Sequence, residues 1–251
     1  MPTRKQATQS VWTRPQSRRE QPALSQEQIV SEAVRLLDAE GIDALSMRKL
    51  GARLDAGATS LYRHVANKDE LIELVVDEIY GEIELPAADD TGTDWREAAA
   101  HCAHSLRAAI LRHPWIASAL GELGLSHLGP NMMRLSEEML TLFSRAGFPL
   151  DEADQAVRTL FAYVTGMTTS EAAWLTTVAR SGQNEQDWLD RLWPAAEEAV
   201  QGHPHLREGY AEARGRDPHE SRDNNFHYGL DRVLDGLATR LPPAPTGLRP
   251  A

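Results

Sequence analysis

The chain is short of cysteine, of lysine, of long apolar runs and of period-two patterning, and each shortage excludes something. Cys102 is the single cysteine among 251 residues. One thiol cannot close an intrachain disulfide, so the fold must rest on its core, and a reducing cytoplasm suits it. No uninterrupted apolar stretch approaches the roughly 18 residues of a membrane-spanning helix. The first residues, MPTRKQATQSVWTRPQSRRE, are basic without an apolar centre, so they do not read as a secretory signal. Lysine occurs only as Lys5, Lys49 and Lys68, an arginine bias that hints at a GC-rich coding sequence. Alternation of apolar and polar residues is missing over any useful length, which argues against strands. What remains is an all-α chain with the charged and apolar content of a globular protein.

A net charge of −11 looks wrong for a protein that binds DNA, but the distribution matters more than the sum. Residues 1–24 hold five cations against one acid. Residues 25–80 hold six basic and eleven acidic residues, and the remainder carries a net −10. An acidic body bearing a few well-placed cations can still bind nucleic acid. Its acidity discourages indiscriminate sticking.

Residues 1–24, polar and broken by Pro15 and Pro22, read as a disordered basic arm. Ser25 opens the first helix with a capping-box pattern to Gln28, and Ile29, Ala33, Leu36 and Leu37 share one face. Gly41 stops it. A second helix runs from Ser46, with Leu50 and Leu54 inward, to a turn at Asp55-Ala56-Gly57, where a glycine eases the bend. A short third helix is expected over about 58–65. Asn67 caps a fourth, with Leu71, Leu74, Val75 and Ile79 as its buried stripe and Asp69 and Glu70 on its positive end. The acid- and turn-rich stretch 85–92 marks a domain boundary, which the fourth helix bridges. The first domain is then 25–83 and the second 94–240, with a proline-rich disordered tail at 241–251. Helices are expected at 94–112, 115–121, 128–146, 151–180, 185–201, 205–214 and 219–240. The 151–180 segment would span about 45 Å at 1.5 Å per residue, a length that calls for a packing partner.

The strongest motif lies in the first domain. Two short helices joined by a glycine-containing turn make a helix-turn-helix. Thr59, Ser60, Tyr62, Arg63 and His64 put hydroxyl, guanidinium and imidazole groups in one short stretch, able to reach phosphates and base edges. Arg48 opens the preceding helix and Lys68 the following one, where free backbone N–H groups also favour phosphate. The plainer alternative is a three-helix packing unit with a polar surface.

The run Thr59 to Val65, followed by Asn67-Lys68-Asp69-Glu70-Leu71, resembles the DNA-binding domain of the tetracycline-repressor (TetR) family, and the likeness extends over about residues 25–79. His113-Pro114-Trp115, Gly129-Pro130-Asn131 and the long 151–180 helix resemble the sensor domain of the branch nearest the tetracycline repressor itself. The resemblance implies a homodimer, all-helical, with a three-helix DNA-binding domain and a ligand-binding and dimerisation domain. It would bind a palindromic operator in double-stranded DNA and release it when a small ligand binds, which the aromatic and methionine side chains of the second domain suggest is largely apolar. It also implies base contacts from Arg48, Ala58, Thr59, Ser60 and Tyr62, and phosphate contacts from Ser46, the Met47 backbone, Arg63, His64 and Lys68. Ala58 lacks a polar group and could touch only a thymine methyl or a sugar. No cofactor is implied.

Trp115, Trp174, Trp188 and Trp193, with Met132, Met133, Phe161, Tyr163 and Met167, are either plain core or the apolar wall of a ligand pocket. A pocket between 94–146 and 151–180 would draw on His104, Trp115, Asn131, Met132, Phe161, Tyr163, Met167, Glu171 and Trp174. Gly166, Ala172 and Ala173 allow a close helix approach, which suits either a dimer seam or tight packing within the chain. The pairs His101/His104 and His219/His227, the latter with Asp223, have helical spacing that could grip a metal, though surface histidines are the plainer reading. Cys102 reads as a small core residue. An enzyme on an acidic helical body is the rival class, but no phosphate-cradling glycine loop, nucleophile elbow or HExxH spacing is present. A third reading is a DNA-binding protein without a ligand, whose helical body recruits another protein.

Overall fold

The computed structural model describes residues 24–86, 94–123 and 129–241, and every regular element among them is helical. The expected basic arm and C-terminal tail lie almost wholly outside these residues. Ser25 caps α1 (Gln26–Glu40): its hydroxyl accepts from the Gln28 N–H, and the Gln28 side chain accepts from the Ser25 N–H. Ile29, Val30, Ala33, Leu36 and Leu37 are buried on its inner face. Gly41 ends it at φ +80°, a conformation only glycine adopts without strain. A single 3₁₀ turn at Ile42–Ala44, not expected from the sequence, leads into α2 (Met47–Arg53), capped by Ser46.

Two local expectations change at the helix-turn-helix. The third helix, α3 (Ala58–Leu61), closes after one turn, and Tyr62 to His64 continue as hydrogen-bonded turns rather than as helix. The bend before it is not made by Gly57, which is extended at φ −69°. Asp55 takes the left-handed conformation, at φ +49°. The glycine that matters is Gly51, buried inside α2: a Cβ there would fall 2.7 Å from the Ala56 carbonyl oxygen. The tightness of the motif therefore comes from the approach of α2 to the turn.

Asn67 caps α4 (Lys68–Gly81), and the Glu70 carboxylate accepts from the Ala66 N–H. This helix packs against α1 on one side and, on the other, against α6 (Ile116–Leu123) and α7 (Pro130–Arg145) of the second domain. The core of the second domain is α5 (Trp95–Arg112) and α7 laid on α8 (Leu150–Ser181), with α11 (Pro218–Ala238) alongside. At 32 residues α8 is about 48 Å long. Buried alanines on α5 (Ala98, Ala99, Ala103) and on α8 (Ala153, Ala156) let these helices close together. Between them, α9 (Glu185–Ala199) and α10 (Pro204–Ala213) bury none of their own residues. Among the described residues no helix is long and apolar enough to cross a membrane.

Candidate functional site

The cations of the first domain are sorted by their partners. Lys49 is paired with Glu40, Arg53 with Glu32 at 2.5 Å, and Arg35 with Glu32 at 2.8 Å. Arg48, Arg63 and Lys68 are exposed and make no ion pair among the described residues. The acids of α1 thus neutralise the cations beside them. The three left over stand at the start of α2, just after α3 and at the start of α4, the places a helix-turn-helix offers to DNA. Tyr62 is 52% exposed, too much for a ring serving only the core. Thr59 is exposed, and Ala58 and Ser60 are half-buried. Ser46 spends its hydroxyl on capping α2, and the Met47 side chain is in the core, so only its main chain could reach a phosphate. The His64 carbonyl accepts from Gln26, which ties the end of the motif to α1. Leu24, where the described chain begins, lines a groove with Ser60, Arg63 and His64.

The second domain holds a pocket of about 410 Å³, bounded by α8, α9 and the start of α11. It lies on the α9 and α11 side of α8, whereas the expected space between 94–146 and 151–180 is represented by a second, open pocket of about 830 Å³, where Pro114, Trp115 and Ser118 meet Thr169, Ala173 and Thr176 beside the end of α1. Met167, Glu171 and Trp174 line the first pocket, as does Trp193. Of the other expected ligand residues, Trp115 lines the second pocket, and the rest have partners outside both. The Trp115 indole N–H donates to Asp38 at 2.7 Å, and the ring is 5% exposed. The side chain of Asn131 and the backbone N–H groups of Asn131 and Met132 bind Asp77, a latch between α4 and the N-terminus of α7. Met132 and Phe161 pack against the core. Tyr163 lies across Gly229, where a Cβ would come within 2.3 Å of its hydroxyl, and that hydroxyl donates to the Phe226 carbonyl. His104 rests on Phe226 and His227, with ring centroids 5.3 and 4.7 Å away. Burial, then the neighbouring His227 and Arg107 charges, holds its pKa below the ordinary histidine value.

A chain of ion pairs runs behind the first pocket, and its members Glu171, Arg222 and Glu185 line it. Arg107 binds both oxygens of Glu171, at 2.9 and 2.8 Å, and reaches Asp223 at 2.8 Å, while its guanidinium lies 4.7 Å above the Phe226 ring. Burial works against the Arg107 charge, but these carboxylates outweigh it and raise its pKa. Arg222 continues the chain to Glu185, which also accepts the Trp174 indole N–H at 2.6 Å. Sequence reasoning missed Glu185, Leu189, Arg216, Arg222 and Phe226 as pocket residues. Charges in a helical body give no pattern that separates these from solvated ones. The histidine pairs do not converge: His101 faces Glu84, and His227 Nδ1 donates to the Asp223 carbonyl. Among the described residues no three His, Cys, Asp or Glu side chains form a metal site.

The chain is similar to known regulators along most of its length. Residues 29–75 match the family described as bacterial regulatory proteins, tetR family, and residues 85–241 match the tetracyclin repressor-like C-terminal domain. An HTH-type transcriptional regulator of Saccharopolyspora erythraea is 40% identical over 66% of this chain and 69% of its own length. The HTH-type transcriptional repressor DrrR1 of Streptomyces coeruleorubidus is 32% identical over 88% of this chain and 80% of its own. Among solved structures, the TetR family protein ActR of Streptomyces coelicolor in complex with actinorhodin superposes with a TM-score of 0.69 at 31% identity. That match covers 86% of this chain and 97% of ActR.

Proposed function

The chain belongs to the tetracycline-repressor family of bacterial regulatory proteins, and from that premise we propose that it is a cytoplasmic homodimeric repressor. It binds a palindromic operator through the α2–α3 face and leaves it when a small, largely apolar molecule enters the second domain. The observation that carries the reading is the sorting of charge in the first domain: the paired cations face acids, and Arg48, Arg63 and Lys68 do not.

Dimerisation is supported by two exposed faces. Along α8, Ala162, Gly166, Ala173 and Thr177 form an exposed small-residue stripe, whereas Ala172 is buried within its own chain. On α11, Tyr228 is 66% exposed. Two copies of α8 and α11 can pack as a four-helix bundle, which would hold the recognition helices at the roughly 34–36 Å that successive major grooves require.

A route for the switch is present in α5. Arg107 is bound to Glu171 of the pocket wall, and His113, the C-cap of the same helix, contacts the DNA-binding domain, about 9 Å further along at 1.5 Å per residue. A ligand that displaces Glu171, and Arg107 with it, would move His113 and, through it, α1 and α4. By linkage, operator and ligand weaken each other by one common factor, typically 5–150-fold.

The deciding experiment is selection of bound DNA from a random pool with purified protein. A palindromic site with half-sites one helical turn apart is the expected result. Recovery of no preferred sequence would refute the reading.

A further inference from the structure

The contact between α5 and α11 includes two imidazoles that neither the DNA-binding face nor either pocket uses. His104 stands one turn before Arg107 on α5, and His227 one turn after Asp223 on α11. The helices therefore meet in two polar layers. In one, Arg107 bonds Asp223 at 2.8 Å. In the next, the imidazoles of His104 and His227 lie with ring centroids 4.7 Å apart, tilted by 42°. Both rings pack on Phe226, at 5.3 and 6.3 Å, and the Arg107 guanidinium covers the same ring at 4.7 Å.

A neutral pair suits this packing. His227 Nδ1 donates to the Asp223 carbonyl at 2.6 Å, which leaves Nε2 as an acceptor. A doubly protonated pair does not suit it. Two positive charges would stand one ring apart, beside the fixed charge of Arg107, so the two imidazoles titrate as a unit. The counter-charges nearby are already engaged. Asp223 is bound to Arg107 and lies 3.3 Å from His219, and Glu171 is held by Arg107 and Arg222. His101, one turn before His104, faces Glu84 and adds a further positive charge in acid. Burial, then the His227 and Arg107 charges, disfavours protonation of His104, and Asp223 offsets them only in part.

The position of the pair decides what a proton would do. Helix α5 leads to His113 and the DNA-binding domain, and α11 supplies part of the proposed dimer seam. We propose that the His104–His227 pair is an acid-operated release: protons taken up between α5 and α11 part the two helices and lower operator affinity without any organic ligand. The operator-bound form keeps the rings together and neutral, and the released form separates them and accepts protons. Operator affinity is then full above about pH 6.5 and falls as the pH drops below it. The inference rests on the repressor reading and adds the proton as a second effector.

Two measurements on the full-length protein test it. Imidazole Hε1 resonances, followed by NMR from pH 8 to 5, give the midpoint of His104 in the parent chain and in His227→Gln. That midpoint should rise in the variant, because a neighbouring charge has gone. Operator affinity is read by fluorescence anisotropy at pH 7.5 and 5.5 for the parent, His104→Phe and His227→Gln. The parent should lose about tenfold more affinity over this interval than either variant. His64, which can gain a proton beside the phosphates, is common to all three and cancels. Circular dichroism at both pH values restricts the comparison to folded chains, and the exposed His227 keeps the test valid if His104→Phe melts early. Equal losses in all three proteins, or an unmoved His104 midpoint, overturn the proposal while leaving the repressor reading intact. A protein that selects no DNA at pH 7.5 refutes that reading, and the release with it.

Discussion

His113 Nδ1 lies 2.7 Å from Asp38 Oδ1, which ties the corner between α5 and α6 to α1 of the DNA-binding domain. The same oxygen accepts the Trp115 indole N–H, and His113 Nε2 lies 3.3 Å from Glu82, just past the end of α4. The imidazole is 4% exposed, so these bonds are largely shielded from water. Asp38→Asn keeps the shape and removes the charge. It should cost about 1–3 kcal/mol of stability, read as a lower urea midpoint at unchanged slope. Operator affinity should change little, while the ligand's power to release the operator should fall. Unaltered release would show that coupling does not pass through this corner.

The six cations of residues 25–80 should separate into functional kinds. Arg48→Ala should cost about 1–3 kcal/mol of operator affinity and relax preference at one base position. Lys68→Ala should weaken all sequences alike and lower the salt slope by about one per site. Arg53→Ala, which breaks a pair with Glu32, should leave the salt slope unchanged. Affinity titrations across a salt series check all three. A slope that falls equally for Arg53 and Lys68 would mean that pairing does not decide which cations meet DNA.

How much of this was legible beforehand follows from what each feature depends on. The caps at Ser25, Ser46 and Asn67, the stop at Gly41 and the long α8 are local chemistry, and their sequence signals were sufficient. The helix-turn-helix was legible because its residues are adjacent in the chain. The pocket was not, since it is a by-product of packing. The sequence marks Trp174 and Met167 as large and apolar, but only the placement of α9 and α11 beside α8 decides that they line a space together. Asn131 misled for a similar reason: a polar group on an apolar helix reads as a ligand contact until its partner, Asp77, is seen to come from 54 residues away.

That Asp77 contact makes Gly129 critical. The carboxylate accepts from the backbone N–H groups of Asn131 and Met132 at 3.1 and 3.0 Å, at the positive end of α7. A Cβ on Gly129 would fall 2.1 Å from Asp77 Oδ1, so alanine there must push the carboxylate out. Gly129→Ala should therefore destabilise by about 2 kcal/mol or more and weaken operator binding, since α4 loses its hold on the second domain. Thermal unfolding with and without operator checks this. An unchanged melting temperature would remove the latch from the account.

Cys102 is 1% exposed, and burial, with a smaller contribution from Glu138, pushes its thiol pKa up to about 12. Only the thiolate attacks alkylating reagents. The native protein at pH 8 should therefore resist iodoacetamide for hours and become reactive across the urea transition. Rapid labelling under native conditions would show that α5 opens locally.

His104 gives the fold a pH dependence of defined sign. Burial first, and then the His227 and Arg107 charges, disfavours its protonated form, so its folded pKa lies below the ordinary 6.5. The unfolded chain therefore binds the proton more readily than the folded one. Stability from this group is whole above about pH 6.5 and is lost as pH falls through that value toward the lower folded pKa. His227 is the nearest imidazole, Arg107 lies on the same helix, and Asp223 partly offsets them from α11. His104→Phe keeps a ring against Phe226 and has no proton to gain. Urea midpoints between pH 7.5 and 5.5 should fall less in this variant than in the parent chain. Parallel curves for the two proteins would assign the acid sensitivity to other groups.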